Sequence, residues 1–197
     1  MQRFLLRLVL LGGLFALTMG CGGPPRPPGP GEARGAIPDL RGYSVMVLPI
    51  QRKTSVPSAV LADEEVAHAL GARGEGVRWI FPPELQAALD RSPGVPARIS
   101  GLLVQVFDQA EVNRVGDPLF GHLLRLAGMT GADVALIPTK LEYTETGTYL
   151  LGAALIGTRN GRVSWYGVLE GAPGEAEDPA AMASIADLLA KTLLPFG

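Results

Sequence analysis

The chain is poor in the residues that build reactive centres. It has one cysteine, Cys21, and two histidines, His68 and His122, in 197 residues. A disulfide framework is excluded, and so is any cysteine-based zinc site in a folded domain, because Cys21 lies ahead of a proline-rich stretch. Aromatic residues make up 6% and charged residues 18%. With a net charge of −2 there is no electrostatic footprint for nucleic acid. After the N-terminus no apolar run is long and uninterrupted enough to cross a bilayer as a helix, which takes about 20 residues. Proline and glycine are plentiful, at 17 and 26.

The N-terminus explains the lone cysteine. "MQRFLLRLVLLGGLFALTMGC" has Arg3 and Arg7 in a basic n-region and an apolar h-region over Leu8 to Leu17, with Gly20 just before Cys21. That is the layout of an export signal covering residues 1–20. "LTMGC" resembles the lipobox of bacterial lipoproteins, although Thr18 stands where leucine is usual. The resemblance implies that Cys21 becomes the acylated mature N-terminus. It also implies sorting to the outer membrane, since Gly22 rather than aspartate follows. The plainer alternative is an ordinary secretory signal with an incidental cysteine. Acylation suits a thiol that has no partner in an oxidising compartment, and several acyl chains anchor firmly where one would not. Removing Arg3 and Arg7 from 17 Lys+Arg leaves 15 against 19 Asp+Glu, a net of −4.

"GGPPRPPGPGEARGAIP", residues 22–38, reads as a tether with little to bury, reaching about 50 Å at about 3.1 Å per residue. Residues 39–197 then form one domain, long enough to bury a core. "YSVMVLPI" is apolar on both faces, as a central buried strand requires. A helix is expected from Pro57 and Ser58 to about Leu70, ended by Gly71. A short strand follows at "VRWIF", then a proline-started helix at "PPELQAALD". "ISGLLVQVF" fits either strand alternation or a helical stripe, and helix is the reading adopted. Asp117 and Pro118 open a helix that Gly128 and Gly131 end. Three strands follow, over 132–144, 148–158 and 162–170. Asn160-Gly161 predicts a type I′ hairpin that sets Arg159 against Arg162, Ile156 against Trp165, and Leu155 against Tyr166. Asp178 and Pro179 start the last helix. The order predicts an α/β two-layer sandwich: a mixed sheet with a C-terminal antiparallel three-stranded meander and helices mainly on one face.

"VMVLPI" in the first strand, "GADVALIPTKLE" (Gly131, Ala132, Asp133 before a strand) and "NGRVSWYG" in the hairpin return resemble one superfamily over about residues 43–195. It holds the curli-secretion lipoprotein CsgG, the N-terminal domain of TolB and the lipoprotein activators of penicillin-binding proteins. The resemblance implies a non-enzymatic envelope protein that binds protein partners. The long membrane-entering hairpins of the curli pore and the long linker of the synthase activators are both missing, so neither specific job transfers.

Candidate sites are few. Glu64 and His68 share a helix face, which reads as an ordinary surface pair. Asp63 to Glu65 reads as a solvated helix face. "GARGEG", 71–76, follows a helix and precedes a strand, the reverse of a phosphate loop. Ser164 and Ser184 lack a nucleophile-elbow context. Tyr149 and Tyr166, if they share an exposed sheet face, would form a partner surface, and the open edge of the meander offers strand addition as a second route. No metal and no cofactor is expected. The leading expectation is a lipid-anchored envelope lipoprotein, periplasm-facing on the outer membrane, that binds another envelope protein, with possible homo-oligomerisation. The alternatives are a subunit of an oligomeric export assembly, revealed by a large elution volume shift, and an envelope hydrolase, revealed by a polar cleft with converging acids.

Overall fold

The computed structural model describes residues 25–195, residue 59 excepted. β2 (Ser44–Val47) is the first buried strand of the sequence and lies inside the sheet, one place in from its edge. Consecutive side chains alternate across the sheet, so Val45 and Val47 enter one core while Met46 and Leu48 enter the other. A strand apolar on both faces needs cover on both. β2 lies between β4 (Arg78–Ile80) and β5 (Val134–Tyr143), parallel to each. β6 (Tyr149–Gly157) and β7 (Val163–Glu170) continue from β5 as an antiparallel meander. β1 (Ala33–Gly35) pairs with β7, and β3 (Lys53–Thr54) adds to β5. The order across the sheet is β1-β7-β6-β5-β2-β4.

The mixed sheet and its C-terminal meander are as expected. The helices differ from the expectation of one main face. α1 (Ala62–Arg73) and α4 (Pro179–Leu193) pack together on the face that carries Val45, Leu136, Tyr149, Leu155 and Trp165. α2 (Pro82–Asp90) and α3 (Leu119–Thr130) cover the face that carries Met46, Ile137, Ala154 and Tyr166. The physical reason lies in the strands. β2, β5 and β6 are almost wholly buried, and a strand buried on both faces leaves no side for solvent.

Local chemistry sets the boundaries. Asp178 caps α4 by accepting the Ala180 N–H at 2.9 Å, and Pro179 follows in the first turn. Gly131 closes α3 in the left-handed region, φ 72°, its N–H donating to the Ala127 carbonyl. Asp117 accepts the Gly121 N–H at 2.9 Å, while Pro118 takes the cap position. Two expectations about helix ends are corrected. α1 starts at Ala62, because Pro57 to Val60 close a turn (Val60 N–H to Pro57 O, 3.1 Å), and it runs through Gly71 to Arg73. Gly71 faces open space, so its cost is only the helix-interior penalty of about 1 kcal/mol.

The helix expected over "ISGLLVQVF" does not form. Gly101 takes φ 64°, and only a single 3-10 turn follows at Gln105–Asp108. Gln51 supplies what a helix would have: its amide donates to the Ile99 carbonyl at 2.9 Å and accepts the Leu102 N–H at 2.9 Å. Leu102 and Val104 then alternate into the core.

The hairpin register is also corrected. Leu155 faces Trp165, Ala154 faces Tyr166 and Ile156 faces Val163. A type I′ turn needs positive φ at both central residues. Only Gly161 has it, at 67°. The chain closes instead with Gly157 N–H to Arg162 O (2.9 Å) and Gly161 N–H to Gly157 O (2.9 Å), around a four-residue loop. Thr158 drives the change. It is 1% exposed, with its hydroxyl 2.8 Å from the Ala132 carbonyl and 2.9 Å from that of Asp133. That contact draws the loop onto the start of β5, a tertiary interaction that outweighs the local turn preference.

Candidate interaction surface

The two tyrosines proposed as a shared exposed patch are neither exposed nor together. Tyr149 is 0% exposed under α4, its ring centroid 5.0 Å from that of Tyr143 and its hydroxyl donating to the Ala176 carbonyl. Burial, with Tyr143 beside it, pushes the Tyr149 phenol above its ordinary value of 10. Tyr166 is 4% exposed on the opposite sheet face, its ring tilted by 48° against that of Phe107 with centroids 5.9 Å apart, and its hydroxyl donates to the Ala110 carbonyl at 2.9 Å. In a sheet whose two faces are both covered, strand aromatics are core.

The open meander edge does not exist either. β7 is closed along its outer side by two segments. At its start, Val163 N–H donates to Asn113 O (3.0 Å) and Val115 N–H to Gly161 O (2.9 Å). Further on, Gly31 N–H donates to Val168 O (2.8 Å), Val168 N–H to Glu32 O (2.9 Å) and Ala36 N–H to Ser164 O (2.9 Å). This second cover is β1, from within the segment read as tether. An exposed strand edge invites pairing with other chains, and here the protein's own N-terminal segment occupies it.

That segment is held beyond the strand. Pro28 is buried. Pro27, Pro28, Gly152 and Val168 line a groove of about 210 Å³. One wall is the two-pronged ion pair of Arg52 with Asp108, at 2.9 and 3.0 Å. Glu32 braces the approach by accepting the Gly29 N–H (3.0 Å) and pairing with Arg26 (2.6 Å), which hold its carboxyl below the usual range, the Gly29 bond first. Ile37 packs on the α1/α4 core, and Leu40 is 1% exposed within it. Sequence reasoning missed β1 because "ARG", residues 33–35, sits among glycines and prolines and carries no apolar period. The one available signal is the glycine pair: a Cβ on Gly167 would lie 2.7 Å from Ala33 Cβ, and one on Gly35 would lie 2.2 Å from the Ser164 carbonyl oxygen.

The remaining candidates have structural occupations. Asp63 accepts the Ile50 N–H at 2.7 Å and pairs with Lys53 at 3.1 Å, tying α1 to the segment after β2 and to β3. Ser184 accepts the Ala172 N–H at 2.9 Å, and Ser164 donates to the Leu155 carbonyl at 3.3 Å. Gly74 to Gly76 form the turn between α1 and β4. Among the described residues, no three His, Cys, Asp or Glu side chains are grouped as a metal ion would need. His122 lies on α3 with its Nδ1 buried and unpartnered. Desolvation, then Arg98 and Arg125, lower its pKa below the ordinary 6.5, and Asp117 only partly opposes them. The exposed large apolar side chains (Tyr43, Leu61, Leu103, Leu124) sit singly on four separate segments, which is normal for a surface. No helix among the described residues is long and apolar enough to cross a membrane. Cys21 lies outside the described residues.

No protein-family model matches the sequence, and no curated protein matches it. Solved structures do. One is the LpoB C-terminal domain from Escherichia coli, at 18% identity, covering 68% of this chain and 84% of that one, TM-score 0.45. Another is lipoprotein GNA1162 from Neisseria meningitidis, at 17% identity over 69% and 84%, TM-score 0.44. A third is the PelC dodecamer from Paraburkholderia phytofirmans, at 21% identity over 84% and 98%, TM-score 0.44. Similarity at this level carries no functional argument.

Proposed function

We propose that this protein is a lipid-anchored module of the bacterial envelope, acylated at Cys21, held at the periplasmic face of the outer membrane, and working by binding another envelope protein. The observation that carries the reading is the position of the sole cysteine, immediately after an export signal and immediately before a segment that the fold takes up. Residues 28–38 lie on the domain, through Pro28, β1 and Ile37. Only residues 22–27 then separate the acylated residue from the fold, which is about 20 Å of chain at about 3.1 Å per residue. A leash that short holds the domain against the lipid surface and restricts partners to those in or beside the same membrane. The sequence resemblance to the superfamily of CsgG, TolB and the synthase activators supports a partner-binding role, and the absence of a nucleophile or ligand motif in the sequence agrees with it.

The test is replacement of the anchor. Cys21→Ser should release the protein from the membrane fraction into the soluble periplasm, and mass spectrometry of the mature chain should find acyl groups on Cys21. A bare thiol at Cys21, or membrane fractionation unchanged by Cys21→Ser, refutes the anchor. Cross-linking in intact cells followed by purification should recover one defined envelope protein; recovery of nothing in the presence of an intact anchor refutes the binding role.

A further inference from the structure

The edge of β7 is built around one particular strand. Its outer side accepts β1 through the pairs Ala33 with Gly167, Arg34 with Tyr166 and Gly35 with Trp165. Gly167 matters for what it leaves out. The three nearest atoms that a Cβ there would meet all belong to the N-terminal segment: Ala33 Cβ at 2.7 Å, Glu32 O at 2.8 Å and Ala33 Cα at 3.0 Å. Gly35 is its counterpart on the incoming strand, at φ 80° and with no room for a side chain above Ser164. β1 itself is only three residues long, with Ala33 and Gly35 exposed. It contributes backbone hydrogen bonds and close contact but no side chain to the core. A short strand held in this way at a sheet edge is replaceable by an identical strand from elsewhere.

We propose that the β7 edge and its groove exchange this segment between copies of the chain: residues 27–36 of one copy occupy the edge of a second, reciprocally. The occupant is a second copy because the sequence that fits Gly167 is on the page and every copy carries it. Exchange conserves all the β1–β7 contacts, so its balance is set by concentration against the intramolecular strand, whose effective concentration is about millimolar for a short linker. Dilute chains are therefore monomers, and a high local concentration of chains drives exchange. The inference does not depend on the anchor and is tested on the soluble Cys21→Ser chain.

Two variants separate donor from acceptor. Gly35→Val disables the segment and leaves the β7 edge empty. Gly167→Val blocks the edge and leaves the segment free. Each alone should elute with monomer mass by light scattering at about 50 µM. Mixed one to one they should form a heterodimer of twice that mass, and the Val168 amide of the Gly35→Val chain should become at least tenfold more protected from hydrogen exchange. A mixture that stays at monomer mass, with both chains folded by circular dichroism, overturns the proposal. If either variant fails to fold, a labelled peptide of residues 25–38 titrated into the unmodified chain to a few millimolar decides: saturable binding competed by unlabelled peptide is expected, and none overturns it.

Discussion

Tyr149 gives the sharpest test of whether the strand aromatics serve packing or recognition. It is wholly buried between β6 and α4, its ring meets Tyr143 edge-on, and its hydroxyl is held by the Ala176 carbonyl. Tyr149→Ala removes the ring from the core that α4 and the strands build, where Tyr149 is 0% exposed. Large aromatic to alanine changes in such positions cost about 3–5 kcal/mol. For a domain of this size each kcal/mol lowers Tm by about 2–4 °C, so a fall of about 8–16 °C is expected for a mid-range loss. Tyr149→Phe keeps the packing and loses one neutral hydrogen bond, about 1 kcal/mol and a few degrees. Tyr43, 45% exposed, is the control, and Tyr43→Ala should stay within about 0.5 kcal/mol of the parent. The assay is thermal unfolding followed at 222 nm on the Cys21→Ser chain, with urea midpoints as a check. If Tyr149→Ala melts within 2 °C of the parent, or no lower than Tyr43→Ala, the buried role is wrong and a surface role returns.

Three further outcomes follow from the same packing. Gly74→Ala should cost about 1–3 kcal/mol by overpacking, because the new Cβ would fall 1.9 Å from Trp79 Nε1; a changed tryptophan emission and a lowered Tm report it. Asp178→Ala should cost about 1 kcal/mol through loss of the α4 cap, read as a 2–4 °C fall in Tm. His122 is held neutral by burial and by Arg98 and Arg125, so its folded pKa lies below the unfolded 6.5. The unfolded chain then binds the proton first, and stability is present above pH 6.5 and falls as pH drops through the folded value; His122→Gln should flatten the urea midpoint between pH 7 and 5, and an unchanged acid slope contradicts the assignment.

The legible parts of the fold were those in which local and tertiary preferences agree. "VMVLPI" has apolar residues on both faces and became a strand buried inside the sheet, next to the edge strand β4. Asp178-Pro179 and Gly131 marked helix ends through caps that work within one turn. The misread parts are those in which a distant residue decides. Gln51 replaces a helix around Leu102, Thr158 reshapes the Asn160-Gly161 turn, and the pairing of Ala33 with Gly167 draws part of the tether into the sheet. Each is a side-chain or backbone contact spanning many residues of sequence, and none has a periodic signature. Tyr149 and Tyr166 failed for a related reason. Alternation tells which residues share a face, but whether that face meets solvent depends on where the helices go.

The docking of residues 28–38 changes what the proline-rich stretch does. A free tether of residues 22–38 would let the domain sample a hemisphere of about 50 Å radius. With β1 seated, the reach shrinks to about 20 Å, and the chain enters the fold beside Val168 and the Arg52–Asp108 wall. Under the proposed acylation of Cys21, the groove side would lie nearest the lipid, and the anchor would orient the domain as well as retain it. The same seating closes the one sheet edge that the meander would otherwise present to every passing strand. Reach and edge protection are thus coupled through β1: whatever displaces it lengthens the leash and opens a pairing site in a single step.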